Sequence, residues 1–576
     1  MLNGFPLNAL PLNSLGGGQE EPVYVVRGFA FTWRLRLLID GQDVTERLAG
    51  TVDVDREEGA AAVSGFDLFM PPGTTVVPSD WAGKAVVLEY ISVSAGITAV
   101  GRRFSGRLTE PVWNPVTRLL SCECSDRLQQ RTEALSVAEI DALVGGHWSA
   151  DVFEPVQGRS HWDYAQERLS TRTASLDCSP YGDMRVTSWY AAQPHFVFGA
   201  GTTLYQSLAL DLPSLDTVTN RVELEINYRY PRLWQFNQSF GWVHPGMGGF
   251  SGIQGFCHWR PWSTELPTTD MIESAVTGAG MVIIGSVGGF KLPLSMSDPC
   301  GDGNPWINTF DDLWLAVGVI GGRRWTQSVT ETYNLALATP AGEVEGTRTV
   351  ARESVSLDIE DDRAEEWDGS LEEDPSGDSS VEDLSDEARR QAALICVLRR
   401  AEAKIISAHR GSLVSWSVPT SMALGVDLVH TLQLDDQGAK ALGKCVRIRD
   451  SFDLESGEAV STLTIAVMRG GGVSDPLTVP SAPDTSLPPL EGPGAGLPTQ
   501  LGGRVFDPDG NPIPPYDDER DGFSGNYSLA DDATAVSFPR RIDVDARDIP
   551  AEYRDERTAT RNVLYRVGVP NDQLEL

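Results

Sequence analysis

The sequence predicts a mainly β protein with some α (an α+β chain), and three observations carry that prediction. Short runs in which apolar and polar residues alternate recur throughout and are bounded by turn residues, the signature of half-buried strands. Fifty-seven glycines and 36 prolines favour strands and turns over long helices. A pattern laid down near residue 100 returns near residue 445. Together these predict two related β-barrels, a small mixed α/β domain, a long insertion at a hairpin tip, and extended termini.

The first barrel is expected over residues 23–128. Trp33, Leu35, Leu37 and Ile39 alternate with Arg34 and Arg36, and Asp40-Gly41 supplies a tight turn before Gln42-Asp43-Val44-Thr45. The same grammar recurs in 50–56, 64–69, 85–90, 103–108 and 119–124, and strands this short and this regularly spaced point to a closed or nearly closed barrel. Leu35, Leu37, Val86 and Leu88 fall on the inward row. Cys122 and Cys124 lie two apart, on one face of a strand, which suits two core contacts.

The repeat is visible residue by residue. Gly101-Arg102-Arg103-Phe104-Ser105-Gly106-Arg107-Leu108, then Trp113-Asn114-Pro115, then 119–124 can be laid beside Gly443-Lys444-Cys445-Val446-Arg447-Ile448-Arg449, then Phe452-Asp453-Leu454, then 461–467. Each copy is a basic strand, an aromatic followed by a polar turn, and an outgoing alternating strand. Gly83–Leu88 is echoed by Gly425–Leu432, which is therefore expected to be a strand.

Two related barrels in one chain resemble the baseplate hub proteins of tailed bacteriophages, above all the hub or tail-tip protein of long non-contractile (siphovirus) tails. The residues that carry the resemblance are Asp40-Gly41-Gln42-Asp43-Val44-Thr45, Pro71-Pro72-Gly73, Trp81-Ala82-Gly83-Lys84-Ala85-Val86 and Arg102-Arg103-Phe104-Ser105-Gly106. They are similar to that family over 31–128, and 386–469 resemble its second half. The resemblance implies a structural protein of the virion, not an enzyme, with no cofactor and no catalytic residues. It implies a homotrimer whose paired barrels make a pseudo-sixfold ring below a hexameric tube, assembled in the host cytoplasm. It also implies partners: a distal tail protein, a tape-measure protein, and tail fibre or central spike proteins. The ring would close the distal end of the tube and open for genome ejection, with DNA passing through the lumen unbound.

Charge agrees with that expectation. The formal net charge is -35, whereas proteins that grip nucleic acid cluster lysine and arginine. An acidic lumen lets DNA slide, but a generically acidic surface is the simpler explanation of the number. Met1–Leu15 has no basic start and is interrupted by Pro6 and Pro11, which is unlike a secretory leader. The seven cysteines are scattered without a C-x-x-C pair, as expected for buried, reduced thiols.

The remaining segments follow in order. Residues 1–22 repeat Pro-Leu-Asn-x-Leu and form an extended arm, either free or lying in a groove of another chain. Residues 129–219 are the mixed domain: Ser136-Val137-Ala138-Glu139 is a capping box that opens a helix ended by Gly145-Gly146, 161–169 is a second helix, and 184–190 is a strand. In 220–357, Arg221–Tyr230 alternates as a strand whose partner is Arg324–Leu335, and 231–323 is the insertion between them. Residues 358–385 are an acidic loop, read as solvated rather than ion-binding because no calcium spacing is present. Within 386–469, Ser385 is expected to cap a helix whose apolar face is Ala388, Ala392, Ile395, Leu398, Ile405 and Ile406, before the second barrel. Residues 470–576 read as a Pro/Gly-rich linker and an extended segment ending in a docking tail.

No motif for catalysis appears. A zinc-peptidase helix, a nucleophile elbow, a phosphate loop and a dinucleotide fingerprint are all missing. His244, Cys257, His258 and Cys300 carry donors that suit zinc, but their spacing matches no ligand rhythm and no metal is assigned. Cys257 and Cys300 are also a candidate disulfide, closing a loop worth about 4 kcal/mol in the chain-entropy model. Ser274–Phe290 is uncharged and punctuated by glycine, and too short to span a bilayer as a helix. Its Val276, Met281, Val282, Ile283, Ile284, Val287 and Phe290 are candidates for a lumen plug or a transient host-membrane contact; the alternative is an ordinary hairpin buried in one subunit. Two other functions stay open: a tail-associated cell-wall hydrolase with its catalytic domain in 147–330, and a receptor-binding adhesin that uses exposed tryptophans of the insertion.

Overall fold

Alternation becomes architecture in the computed structural model, which describes residues 22–25, 32–94, 96–155, 157–213, 218–243, 267–291, 294–296, 303, 306–307, 311–345, 350–358, 379–490, 505–506, 512–513, 544 and 546–576. Strands β1 (Thr32–Ile39), β2 (Leu48–Glu57), β3 (Val63–Phe69), β4 (Ala85–Ser94), β5 (Ile97–Asn114) and β6 (Leu119–Ser125) form one antiparallel sheet in the order β2-β3-β6-β5-β4-β1. Asp40 and Gly41 both take positive φ, +47° and +77°, as a two-residue hairpin turn with the right twist requires. Inward residues of all six strands, among them Leu37, Val54, Phe66, Leu88, Phe104 and Cys122, share one core. A flat sheet could not bring them together, so this one wraps around itself. Leu35, Leu37, Val86 and Leu88 are all buried, as the alternation predicted.

Helices α1 (Val137–Val144) and α2 (His161–Ser170) follow. The capping box at Ser136 and Glu139 is formed, and Gly145 ends α1. They pack over the hairpin β7 (Ala174–Cys178) and β8 (Met184–Ser188). Two short strands, β9 (Phe196–Phe198) and β10 (Ala209–Asp211), then add to the second strand set described below.

A hairpin of unusual length comes next. β11 (Arg221–Val243) pairs with β13 (Trp314–Ala338) from Arg221↔Ala338 to Val243↔Ala316; at about 3.3 Å per residue each arm is roughly 75 Å long. The expected pairing is present but continues well past Tyr230 and Arg324. Beyond Tyr230 the period-2 signal vanishes because both faces are covered: Leu233, Trp234, Gln235, Phe236, Asn237 and Gln238 are all buried. Between the arms lie α3 (Thr269–Gly278) and β12 (Val282–Lys291), the latter pairing with the distal part of β13. β14 (Val350–Asp358) and β15 (Ser379–Asp383) pair with β11.

Helix α4 (Glu387–Ala408) lies across the hairpin's inner face. Its cap is Asp386, one residue later than expected, with the side chain accepting from the Arg389 N–H. Ala388 is exposed, so it leaves the predicted apolar face, and the true contact row is Ala393, Leu394, Val397, Leu398, Ala401, Ile405 and Ile406. The helix is covered on more than one side, which blurs its stripe.

The second strand set is β16 (Ser412–Pro419), β17 (Thr431–Asp436), β18 (Ala439–Asp453) and β19 (Glu458–Val467), in the order β16-β19-β18-β17, extended by β9 on β17 and β10 on β16. Its own core holds Phe198, Trp416, Leu432, Ile448 and Leu463. Gly425–His430 is a turn, not the strand expected from the repeat.

The tail of the chain packs on the rest. Leu477 and Val479 touch the core under α4, Leu490 enters the distal hairpin core, and Thr485 receives the Arg232 guanidinium at 2.7 Å through its carbonyl. β20 (Arg557–Arg566) runs parallel to β13, and β21 (Leu574–Glu575) pairs with β18. The 470–490 stretch is therefore a packed strap. The N-terminal arm 1–21 and most of the acidic segment, 359–378, lie outside the described residues, but Ser379–Asp383 is strand and Arg232 pairs with Asp383 at 2.5 Å. The acidic loop therefore ends before Ser379, and a deletion that spares the strand stops at residue 378. Asp358 aligns with Arg229 and Ser379 with Phe236, a gap of roughly 23 Å along β11. Replacing 359–378 by a ten-residue Gly/Ser linker should change stability by less than about 1 kcal/mol, since loop closure depends weakly on length; removing Ser379–Asp383 as well should lower the melting temperature clearly. Equal melting curves for the two deletions would contradict this.

Candidate functional site: the ionic seam between the two strand sets

The two strand sets meet along β2 and β18, which pair antiparallel from Glu57↔Arg447 to Thr51↔Asp453. Phe452 of β18 crosses into the first core, where its ring lies 5.7 Å from that of Tyr90, itself stacked on Trp33. The Trp33 indole N–H reaches the Gly457 carbonyl at 2.9 Å. The seam is thus a shared sheet and a shared aromatic contact.

A chain of buried charges runs behind it. At the register shift between Leu88/Phe104 and Glu89/Arg102, Arg103 is the extra residue of a β-bulge, so both it and Phe104 point inward; bulges re-aim side chains in this way. The Arg103 guanidinium makes two bonds to Asp450 of β18, 2.8 Å from Nε to Oδ2 and 2.7 Å from Nη2 to Oδ1. Ser461 donates to the same carboxylate at 2.5 Å, and the third guanidinium nitrogen reaches the carbonyls of Ala423 and Leu424. Arg103 is 1 % exposed and Asp450 not at all.

Arg56 completes the inward row Val52, Val54, Arg56 of β2. Its Nη1 meets Asp427 Oδ1 at 2.8 Å; the other carboxylate oxygen takes Arg185 of β8 at 2.6 Å, and Arg185 in turn holds Asp177 of β7 at 2.8 Å. Three parts of the chain therefore converge on one alternating row of charges. Burial works against the Asp427 charge, but the Arg185 hydrogen bond and the charges of Arg56 and Arg185 hold its carboxyl down at about 2. Burial, with Arg103 nearby, lowers Arg56 from its ordinary value. Burial also lowers Lys444, to about 8. Such a row adds little net stability over an apolar replacement, because desolvation offsets attraction, yet removing one member is costly. Its effect is on orientation, because the docking seen here brings Arg103 to Asp450 and both Arg56 and Arg185 to Asp427.

His430 supplies the pH dependence. Its Nδ1 accepts the Asp427 N–H at 2.9 Å, and its ring centre lies 5.0 Å from that of His195. Burial first, and then His195, push it down to about 4. Below pH 6.5 the unfolded chain takes up a proton that folded His430 refuses, so stability falls as pH drops from about 6.5 to 4, by up to about 3 kcal/mol at 1.36 kcal/mol per unit. The Asp427 contribution is present above about 4 and is lost only as pH falls from there towards 2. A His430→Gln chain should show a flatter stability profile between pH 6.5 and 4 in chemical denaturation; an unchanged slope would remove His430 from the seam's titration.

The residues singled out in the sequence lie elsewhere. Val276, Met281 and Ile284 are buried, and Ile283, Val287 and Phe290 pack partly against the same distal hairpin core, while Val282 is exposed. Most of the candidate plug is thus packed within one chain as α3 and β12. Trp234 and Trp314 are core residues too, 2 % and 6 % exposed, which corrects the expectation of exposed tryptophans at those two positions. Cys257, Cys300, His244 and His258 lie outside the described residues. The five described thiols are all buried, and burial pushes each upward, to about 12 for Cys122, Cys178, Cys396 and Cys445. Among the described residues no cluster of three or more metal-binding side chains occurs, and no helix is long and apolar enough to cross a membrane.

No family model matches the chain, and no curated protein matches it. Among solved structures it is similar to a tail protein from Neisseria meningitidis MC58 (8 % identity, 76 % of this chain and 96 % of that one, TM-score 0.36). It is also similar to the 43 kDa tail protein of prophage MuSo2 from Shewanella oneidensis (10 % identity, 76 % and 98 %, TM-score 0.36). A third likeness is to prophage tail protein gp18 from Listeria monocytogenes EGD-e (6 % identity, 75 % and 94 %, TM-score 0.30).

Proposed function

We propose that this chain is the hub of a bacteriophage tail tip: a structural protein that closes the distal end of the tail tube, anchors fibres or a central spike, and opens for DNA ejection. The observation that carries the reading is the seam. One chain holds two related strand sets joined edge to edge through β2 and β18, and in both the long strand bulges against its outgoing neighbour, with Thr109 extra between Leu108 and Glu110 in the first set and Val446 extra between Cys445 and Arg447 in the second. A chain with two such units locked side by side is a ready two-sixths of a ring. Three copies would present six units to a hexameric tube, and a rigid seam keeps their spacing constant. The distal tail protein and the tape-measure protein are the neighbours above it in this reading, and the net charge of -35 keeps the lumen wall from holding DNA. The test is the mass of the purified chain across a range of concentrations. A trimer supports the reading, and a monomer at every concentration counts against it.

The plug enters this proposal in a narrower form. Only Val282 of the candidate residues is more than half exposed, at 57 %, so the surface of β12 rather than the whole segment would face the axis. Val282→Asp should fold normally and yield particles that leak DNA or fail to infect; particles that retain DNA and infect normally would end the plug assignment. Ile284→Asp, by contrast, should unfold the distal hairpin because Ile284 is 5 % exposed and a buried unpaired charge is costly.

A further inference from the structure

The proximal half of the hairpin sheet has four strands in the order β14-β11-β13-β20, and among the described residues both outer strands lack a partner on their far side. Native edges are usually blunted by proline, bulges, charged side chains or extreme shortness, and of these only charge is present on the two strands. Here β14 and β20 are nine and ten residues long, paired without a register shift, and free of proline. The outward row of β20 can be read from its hydrogen bonds. Val567 N–H turns inward to the Ala338 carbonyl, whereas Arg566 turns outward, its N–H and carbonyl both engaged by Asp475. By the two-residue period, Thr558, Thr560, Asn562 and Leu564 also present their backbone groups outward, and no backbone partner meets them among the described residues.

We propose that this open edge receives a second copy of the same chain, β20 of one copy pairing antiparallel with β14 of the next. Three features fit one occupant. First, β14 runs with β11, and β20 runs with the opposed β13; rotation about an axis parallel to the strands keeps each direction, so β20 and the next copy's β14 meet antiparallel. Second, the two edges lie at the same height. Asp358, Arg229, Thr330 and Thr558 form one row across the sheet, and Val350, Arg221, Ala338 and Arg566 another, so such a rotation brings full strand against full strand. Third, the charges are opposed. β20 carries Arg557, Arg561 and Arg566 and no acid in a strongly acidic chain, and neither Arg557 nor Arg561 has an ion-pair partner among the described residues. The other edge ends at Asp358, from which 359–378 continue with ten carboxylates against Arg363. Asp358 falls at the height of the neighbour's Thr558, next to its Arg557, where complementary charge steers encounter and fixes register.

The inference rests on the hub reading only for the number of copies, and one experiment separates the two. Amide exchange on the assembled full-length chain should show Thr558, Thr560, Asn562 and Leu564 slowed relative to the dilute chain. Thr560→Pro removes one outward donor and leaves the ladder to β13 intact; it should melt like the wild type and self-associate at least about tenfold more weakly, while Thr560→Ala associates normally. Arg557→Glu/Arg561→Glu should weaken association as well and reduce its salt dependence. Thr560→Pro and the double charge reversal both assembling as the wild type, free exchange of the four amides in the oligomer, their protection only by a different tail protein, or a wild-type chain that never self-associates would each overturn the proposal. A chain found at the tail tip with freely exchanging β20 amides would leave the hub reading standing without this edge. Protected amides in a chain absent from tails would do the reverse.

Discussion

Replacing Asp450 by asparagine is expected to destabilise the chain by about 3–5 kcal/mol, because Arg103 would keep its charge in a site that is 1 % exposed with no anion to meet it. Nothing in the seam can move to compensate. Ser461 already donates to the carboxylate and the Arg103 Nη1 already reaches two carbonyls. The informative comparison is the double replacement Arg103→Met/Asp450→Leu. Removing both charges also removes both desolvation costs, so the double variant should lie within about 1–2 kcal/mol of the wild type, and the coupling between the two sites should be correspondingly large. Chemical denaturation of the four chains measures this. Single variants each within about 1 kcal/mol of the wild type would show that the pair is solvated and that the seam is not held by charge.

Leu37→Asp should have a comparable or larger effect, on the order of 5 kcal/mol. Leu37 has no exposed surface and lies in the middle of the first core, opposite Leu88 in the ladder between β1 and β4. The core around it is built of apolar side chains, so the new carboxylate meets no partner there and the first strand set should fail to close. Arg34→Asp on the outer row of the same strand, where the side chain is exposed, should cost less than about 0.5 kcal/mol. A soluble, cooperatively folding Leu37→Asp chain would mean that the inward and outward rows of β1 are misassigned.

The two predictions draw on different kinds of legibility. The inward row of β1 could be read from the sequence because one face meets the core and the other meets water, so Leu35, Leu37 and Ile39 stand out against their neighbours. Arg56 was legible by the same rule, as the third member of Val52, Val54, Arg56, although a charged residue at an inward position is easily passed over. Arg103 was not. A bulge inserts one residue, breaks the period of two and turns two consecutive side chains inward. Asp427 was hidden because its segment repeats the pattern of a strand while folding as a turn, shaped by hydrogen bonds to His430 and Arg185 that lie outside any local signal. The distal hairpin faded for a further reason: strands covered on both faces lose alternation. β20 carries little apolar patterning at all, since Thr558, Thr560 and Asn562 face outward along an open edge.

A hub of the kind proposed lies at the distal end of the tail, and labelled particles locate it directly. Particles carrying a small label on this chain, imaged by negative stain and averaged along the tail axis, should show the label at the tail tip alone, in three equivalent positions around the axis. Label along the tube, at the capsid, or missing from intact particles would contradict the account.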